Sequence, residues 1–180
     1  MPTNFSAPNP YQPIPMRVLR AYYESNDRTL KTLELSFENQ VDRVAFFKKF
    51  NPGQFCQLSL FGKGESPLGV ASAAWEGDFV RFTIQRMGSV TKALHGLKPG
   101  DPLGMRGPLG NGFPLADWKG KNLVIIGGGC AFSTLYALTK HVQHPQNRPE
   151  FICFFLVGKL KIELVKYLVQ GFILLFCWQM

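Results

Sequence analysis

Residues 123–129 read Leu-Val-Ile-Ile-Gly-Gly-Gly, and this stretch decides the fold class. Leu123 to Ile126 is a continuous apolar run, the pattern of a strand buried on both faces. Gly127, Gly128 and Gly129 let the backbone turn sharply and approach a phosphate, and a following helix offers free amides and a positive dipole end. A plain tight turn between strand and helix is the other reading of the same glycines. The full Gly-x-Gly-x-x-Gly pattern is absent, so the segment alone does not name a ligand.

Downstream, Ala131 to Val142 carries Leu135, Leu138 and Val142 at helical spacing, Gln146 to Pro149 reads as a loop, and Phe151 to Val157 is a second apolar run. Strand, glycine turn, helix and strand are the opening of a parallel α/β domain. Two strands and a helix cannot cover a parallel sheet on both faces, so this domain, residues 117–180, is expected to be partial. Its tail, Leu164 to Trp178, is strongly apolar but interrupted by Lys166 and Gln170, which argues against a membrane span. An amphipathic helix replacing missing strands and a truncated or frame-shifted end are the two readings of that tail.

Upstream the period is different. Thr32 to Phe37 alternates polar and apolar, as a half-buried strand does, and Gln54 to Leu60 alternates again after the turn Asn51-Pro52-Gly53. The chain from Met16, the small apolar run Leu68 to Ala74, Phe79 to Arg86 and Pro102 to Arg106 read as further strands. Ser89 is placed to cap a short helix running to Leu97, ended by Pro99-Gly100. Six short strands punctuated by turns predict a closed antiparallel barrel over residues 16–116, preceded by an extended arm over residues 1–15. The expected fold class is therefore a six-stranded antiparallel barrel followed by an incomplete parallel α/β unit.

Twenty Lys and Arg against twelve Asp and Glu leave a formal charge of +8. These cations are scattered, with no run longer than Lys48-Lys49, so nucleic acid is disfavoured as a partner and a phosphate-rich cofactor is compatible. Cys56, Cys130, Cys153 and Cys177 form no Cys-x-x-Cys pair, which argues against a metal site within the chain and reads as reduced thiols of a cytoplasmic protein. Residues 1–15 lack the apolar core of a signal peptide.

Two further segments carry chemistry. Met87-Gly88-Ser89-Val90-Thr91 offers hydroxyls and helix-start amides, with Arg86 supplying charge nearby, and reads as a second phosphate cradle or as a simple helix cap. Leu68-Gly69-Val70-Ala71-Ser72-Ala73 is small enough for a flat ring to lie against the backbone, or for strands to pack closely in a narrow barrel. His95 reads as a packing or solvent-facing residue, and no Ser-His-Asp or paired-carboxylate arrangement supports a hydrolase.

In this order, Pro52-Gly53-Gln54-Phe55, Gly64 to Ser72, Gly88 to Leu94, Leu97 to Asp101, Gly107 to Phe113 and Gly127-Gly128-Gly129 resemble the ferredoxin–NADP reductase superfamily. The likeness is nearest to the electron-transfer subunits of dihydroorotate dehydrogenase and to the gamma subunits of hydrogenase/sulfur reductase and anaerobic sulfite reductase. It covers about Arg17 to Gly158.

The resemblance implies FAD on the barrel, with Pro67, Leu68, Gly69, Val70, Ala71 and Ser72 along the ring and ribityl chain. It implies Gly88, Ser89, Val90 and Thr91 at the pyrophosphate with Arg86 nearby, and Gly127, Gly128 and Gly129 at NAD(P)H. The implied function is an FAD-dependent oxidoreductase subunit that passes electrons between NAD(P)H and a redox partner protein or the catalytic subunit of a hetero-oligomer. A non-catalytic barrel that docks to such a partner is the alternative, and a nucleic-acid-binding barrel a weaker third.

The sequence departs from the family pattern in several places. Many relatives have Arg-Pro-Tyr/Phe-Ser where this chain has Ser66-Pro67-Leu68-Gly69, so an arginine, an aromatic and a hydroxyl are replaced. Ala131 stands at a usual glycine, and Gly158-Lys159-Leu160 at the usual Gly-Ala-Arg. The remaining nucleotide-domain strands and the C-terminal cysteine cluster of those subunits are expected to be missing. Hydride transfer is thus expected of the longer proteins rather than of this chain alone.

Overall fold

The computed structural model describes residue 9 and residues 11–118, 121–127, 132–144, 152–156 and 173–177. Within them the chain forms two sheets. The first is built from β1 (Ile14–Tyr23), β2 (Leu30–Phe37), β3 (Phe55–Leu60), β4 (Gly64–Gly69), β5 (Val80–Gln85) and β6 (Pro102–Leu109). It is antiparallel throughout, in the order β4-β3-β6-β1-β2-β5. Immediately after β4 the Ala71 N–H donates to the Arg81 carbonyl at 2.8 Å, which draws the β4 end of the sheet onto β5 and closes the barrel. Met16, Leu33, Leu35, Leu58, Phe82, Ile84 and Met105 fill its interior.

β2 differs from the half-buried strand that its alternation predicts: Thr32 and Glu34 on its other face are buried as well, and Lys31 is buried on the same face as Leu33 and Leu35. Arg81 and Arg20 cover Glu34, at 3.0 and 2.6 Å, and the Thr32 hydroxyl donates to Glu24 at 2.6 Å. Charged side chains long enough to fold back over the strand remove from water positions that alternation alone assigns to solvent.

Three helices accompany the sheets: α1 (Gln40–Lys49), α2 (Ser89–His95) and α3 (Phe132–Gln143). Asn39 caps α1 by accepting the Asp42 N–H at 2.8 Å. Asp42 in the first turn and Lys48-Lys49 in the last complement the helix dipole. Phe46 carries the helix into the barrel core, stacked on Phe50 at 5.7 Å between ring centres. The cap of α2 falls on Gly88 rather than Ser89. The Thr91 hydroxyl takes the cap's place by accepting the Met87 and Gly88 N–H groups at 3.0 and 2.9 Å.

The second sheet is parallel, in the order β8-β7-β9, from β7 (Leu123–Gly127), β8 (Ile152–Leu156) and β9 (Ile173–Cys177). Two of these are the apolar strands expected on either side of the glycine turn. The third corrects the helix reading of the tail over its last part: Ile173–Cys177 pairs in register with Leu123–Gly127. Five uninterrupted apolar residues suit a strand and a buried helix segment equally by period, and pairing with β7 decides between them. Residues 157–172 lie outside the described residues. Trp118, Leu123, Ile125, Leu135, Leu138 and Val142 form a second core between this sheet and α3. No helix among the described residues is long and apolar enough to cross a membrane.

Candidate functional site

A cleft of about 630 Å³ opens on the barrel beside α2. Pro67, Leu68 and Gly69 form one wall and Gly88, Ser89, Val90 and Thr91 another. These two segments are far apart in the chain, and the topology brings them together because the end of β4 lies next to β5 and the loop that follows it. The volume falls in the range of small-molecule and cofactor sites, about 300–1,000 Å³.

At the α2 end, helix geometry leaves the first-turn N–H groups of Ser89, Val90 and Thr91 without intrahelical acceptors. Gly88 has no side chain with which to cap them. A Cβ added to Gly88 would meet nothing within 4 Å, so an approaching group has open access to the backbone there. Lys31 fixes the other end of α2: its buried ammonium donates to the carbonyls of His95 and Leu97 at 2.8 and 2.7 Å.

Other expected site residues lie elsewhere. Val70, Ala71 and Ser72 are buried in the barrel seam, where the Ser72 hydroxyl accepts the Arg81 N–H at 3.1 Å. Arg86 is exposed and outside the cleft lining, with its backbone N–H on the Thr29 carbonyl at 2.8 Å. Gly127 ends β7 opposite Leu156 and Cys177, while Gly128 and Gly129 lie outside the described residues. His95 is buried, with Nε2 2.8 Å from the Ile84 carbonyl.

The lining also includes residues that motif reading did not single out. Phe55 faces Gly69 across the β3–β4 ladder and brings an aromatic ring to a cleft where position 68 is leucine. Glu65 is the charged side chain among the described lining residues. Arg106 grips it through Nε on Oε1 at 3.0 Å and through a second bond to Oε2, and Ser59 Oγ donates to Oε1 at 2.6 Å. Arg106 foremost, then Ser59, hold the Glu65 carboxyl down at about 2. Thr83 and Gln85 enter from β5, and Ser133 and Thr134 from the first turn of α3. Alternation on β5 hints at the first pair. Only the tertiary fold brings α3 to the cleft.

α3 also touches the barrel away from the cleft. The Arg81 guanidinium lies 5.8 Å from the Tyr136 ring centre, and the Trp75 ring lies 6.0 Å from that of His144. A planar, partly polar ligand with an anionic arm fits these features. A flat ring has Phe55 and Leu68, and an anion has the amides at the start of α2.

No family model matches the chain. It is 39% identical over 127 residues to the sulfhydrogenase 1 subunit gamma of Pyrococcus furiosus, which covers 71% of this chain and 42% of that protein. It is 41% identical over 95 residues to a probable dihydroorotate dehydrogenase B (NAD(+)) electron transfer subunit of Thermococcus kodakarensis, covering 53% and 37%.

Among solved structures it resembles phthalate dioxygenase reductase, with a TM-score of 0.66 at 13% identity over 81% of this chain and 43% of that one. It also resembles the ferredoxin–NADP+ reductase of Plasmodium falciparum, with a TM-score of 0.63 at 13% identity over 86% and 65%. At such identities the structural likeness concerns the fold. The chain spans less than half the length of the curated relatives it matches, 42% for the first of them. By fold this chain is ferredoxin–NADP reductase-like, and by sequence it is a homologue of the sulfhydrogenase gamma and dihydroorotate dehydrogenase electron-transfer subunits over the part of them that it spans.

Proposed function

We propose that the chain binds a flavin, FAD, in the cleft and belongs to an oxidoreductase that passes electrons between NAD(P)H and a partner redox protein or catalytic subunit. The observation that carries this reading is the convergence of Pro67-Leu68-Gly69, Gly88 to Thr91 and the start of α3 on one cleft. The homology to electron-transfer subunits of hetero-oligomers supports it.

In this reading Phe55, Leu68 and Gly69 hold the ring, and the Ser89, Val90 and Thr91 amides with the Ser89 hydroxyl hold the phosphates. When bound, the flavin supplies the two-electron and one-electron chemistry. The chain's own part is to exclude water from one face of the ring and to orient it. Gly127 to Gly129 are assigned to the nicotinamide nucleotide through the family resemblance. Residues 16–116 form the flavin unit and residues 117–180 part of the nucleotide unit.

The test is an absorbance spectrum after loading with excess FAD and desalting, repeated anaerobically with NADH and with NADPH. Retained flavin bands are the expected result, and bleaching by a nicotinamide extends the reading to both sites. A folded but colourless protein overturns it and favours a barrel that only docks to a partner.

A further inference from the structure

We propose that Thr134, in the first turn of α3, supplies the hydroxyl that faces the ring-binding end of the cleft in place of any side chain at position 69. The inference rests on the flavin reading and adds a residue to it. A Cβ built on Gly69 would lie 2.0 Å from Thr134 Oγ1, 3.2 Å from its Cβ and 3.4 Å from its Cγ2. The threonine side chain therefore fills the volume that any side chain at position 69 needs. Threonine in a helix has two favoured χ1 rotamers, but its Cβ, 3.2 Å from the added atom, does not move with χ1, so the close contact persists in either.

Gly69 does not have the positive φ that favours glycine at Gly53 or Gly64. What demands glycine at position 69 is the helix packed against it. Gly69 and Thr134 both line the cleft, beside Leu68 and across from the opening of α2. A hydroxyl both donates and accepts, so it suits a ring nitrogen that accepts when oxidised and donates when reduced. Because Thr134 lies on α3, the ring's hydrogen bonding depends on where this helix sits, which couples the flavin cleft to the parallel sheet.

The test uses the full chain in four forms: wild type, Thr134→Val, Gly69→Ser and Gly69→Ser/Thr134→Ala. Flavin affinity is read by fluorescence quenching, midpoint potential by dye equilibration and folding by Tm. Thr134→Val is expected to keep its Tm, bind FAD about two- to tenfold more weakly and shift the potential, because only a hydroxyl is lost. Gly69→Ser is expected to lower Tm and flavin affinity together through the clash. Gly69→Ser/Thr134→Ala is expected to recover both, since the hydroxyl moves from helix to strand in the same space.

If wild type binds FAD and Thr134→Val matches it in affinity and potential, the role of Thr134 is overturned while the flavin reading stands. Toleration of Gly69→Ser with Thr134 present overturns the shared-space argument. If wild type binds no flavin, the flavin reading fails and this inference fails with it.

Discussion

The Ala71 N–H donates to the Arg81 carbonyl at 2.8 Å, and one residue further along the Arg81 N–H returns to the Ser72 hydroxyl at 3.1 Å. Together these bonds close the barrel between the end of β4 and β5. The small size of Val70, Ala71 and Ser72 is thus used for strand-to-strand packing. Ser72→Ala removes the acceptor of a partly buried N–H and is expected to cost about 1 kcal/mol of stability in urea unfolding. Ser72 lies outside the cleft lining, so flavin affinity per folded molecule is expected to stay at the wild-type value. A Ser72→Ala protein with full stability and weak flavin binding would reverse that assignment.

His95 is expected to make folding sensitive to pH below 6.5. Burial foremost, together with the nearby Lys31 and Arg86 charges, holds its pKa below the ordinary 6.5, against a raising contribution from the Ile84 carbonyl. The unfolded chain therefore binds the proton first as pH falls. Stability is expected to be full above 6.5 and to decline from there down to the folded-state pKa. His95→Gln is expected to flatten the pH 7 to 5 portion of a denaturation series. An unchanged slope in that variant would assign the effect to other groups.

Cys56 is fully buried in the barrel core, and burial pushes its thiol up to about 12. Since the thiolate is the reactive species, Cys56 is expected to resist iodoacetamide at pH 8 in the native protein and to react promptly in denaturant. Peptide mass mapping follows this site separately from Cys130, Cys153 and Cys177. Native-state labelling of Cys56 would show that the barrel opens readily around β3.

These side chains also mark what the sequence makes legible. β3, β5 and β6 announce themselves because one face of each packs into a single core, and alternation records that. α1 carries one fully buried residue, Phe46, so its helical period is faint, and its cap at Asn39 is the clearest local signal. β9 pairs with β7 across a long separation in the chain, which no local pattern encodes. At the cleft, the Gly88 to Thr91 turn is readable because cap chemistry is local. Phe55, Glu65 and Thr134 arrive through strand pairing and helix docking, and their residue types alone are unremarkable. Gly69 is a joint case: its lack of a side chain is plain in the sequence, and the reason for it lies on another element.

Glu65 and Arg106 give the last prediction, because a carboxylate on the lining works against the phosphates of the proposed ligand. Arg106 offsets this charge by gripping both carboxylate oxygens, and Ser59 adds a third bond. Arg106→Met frees the carboxylate and is expected to weaken FAD binding up to about fivefold at low salt, the scale of a partly solvated ion pair. Added salt should shrink the difference. Arg106→Met/Glu65→Gln should restore affinity by removing the stranded charge. The same pair predicts an acid limb. With the folded pKa at about 2 and the ordinary value at 4.5, the pair's contribution to stability is present above pH 4.5 and is lost as pH falls towards 2. Glu65→Gln is expected to lack that limb while keeping the His95 limb at higher pH. If Arg106→Met binds FAD as wild type does at low salt, Glu65 lies too far from the phosphates to matter, and the anionic arm must run along the opposite wall.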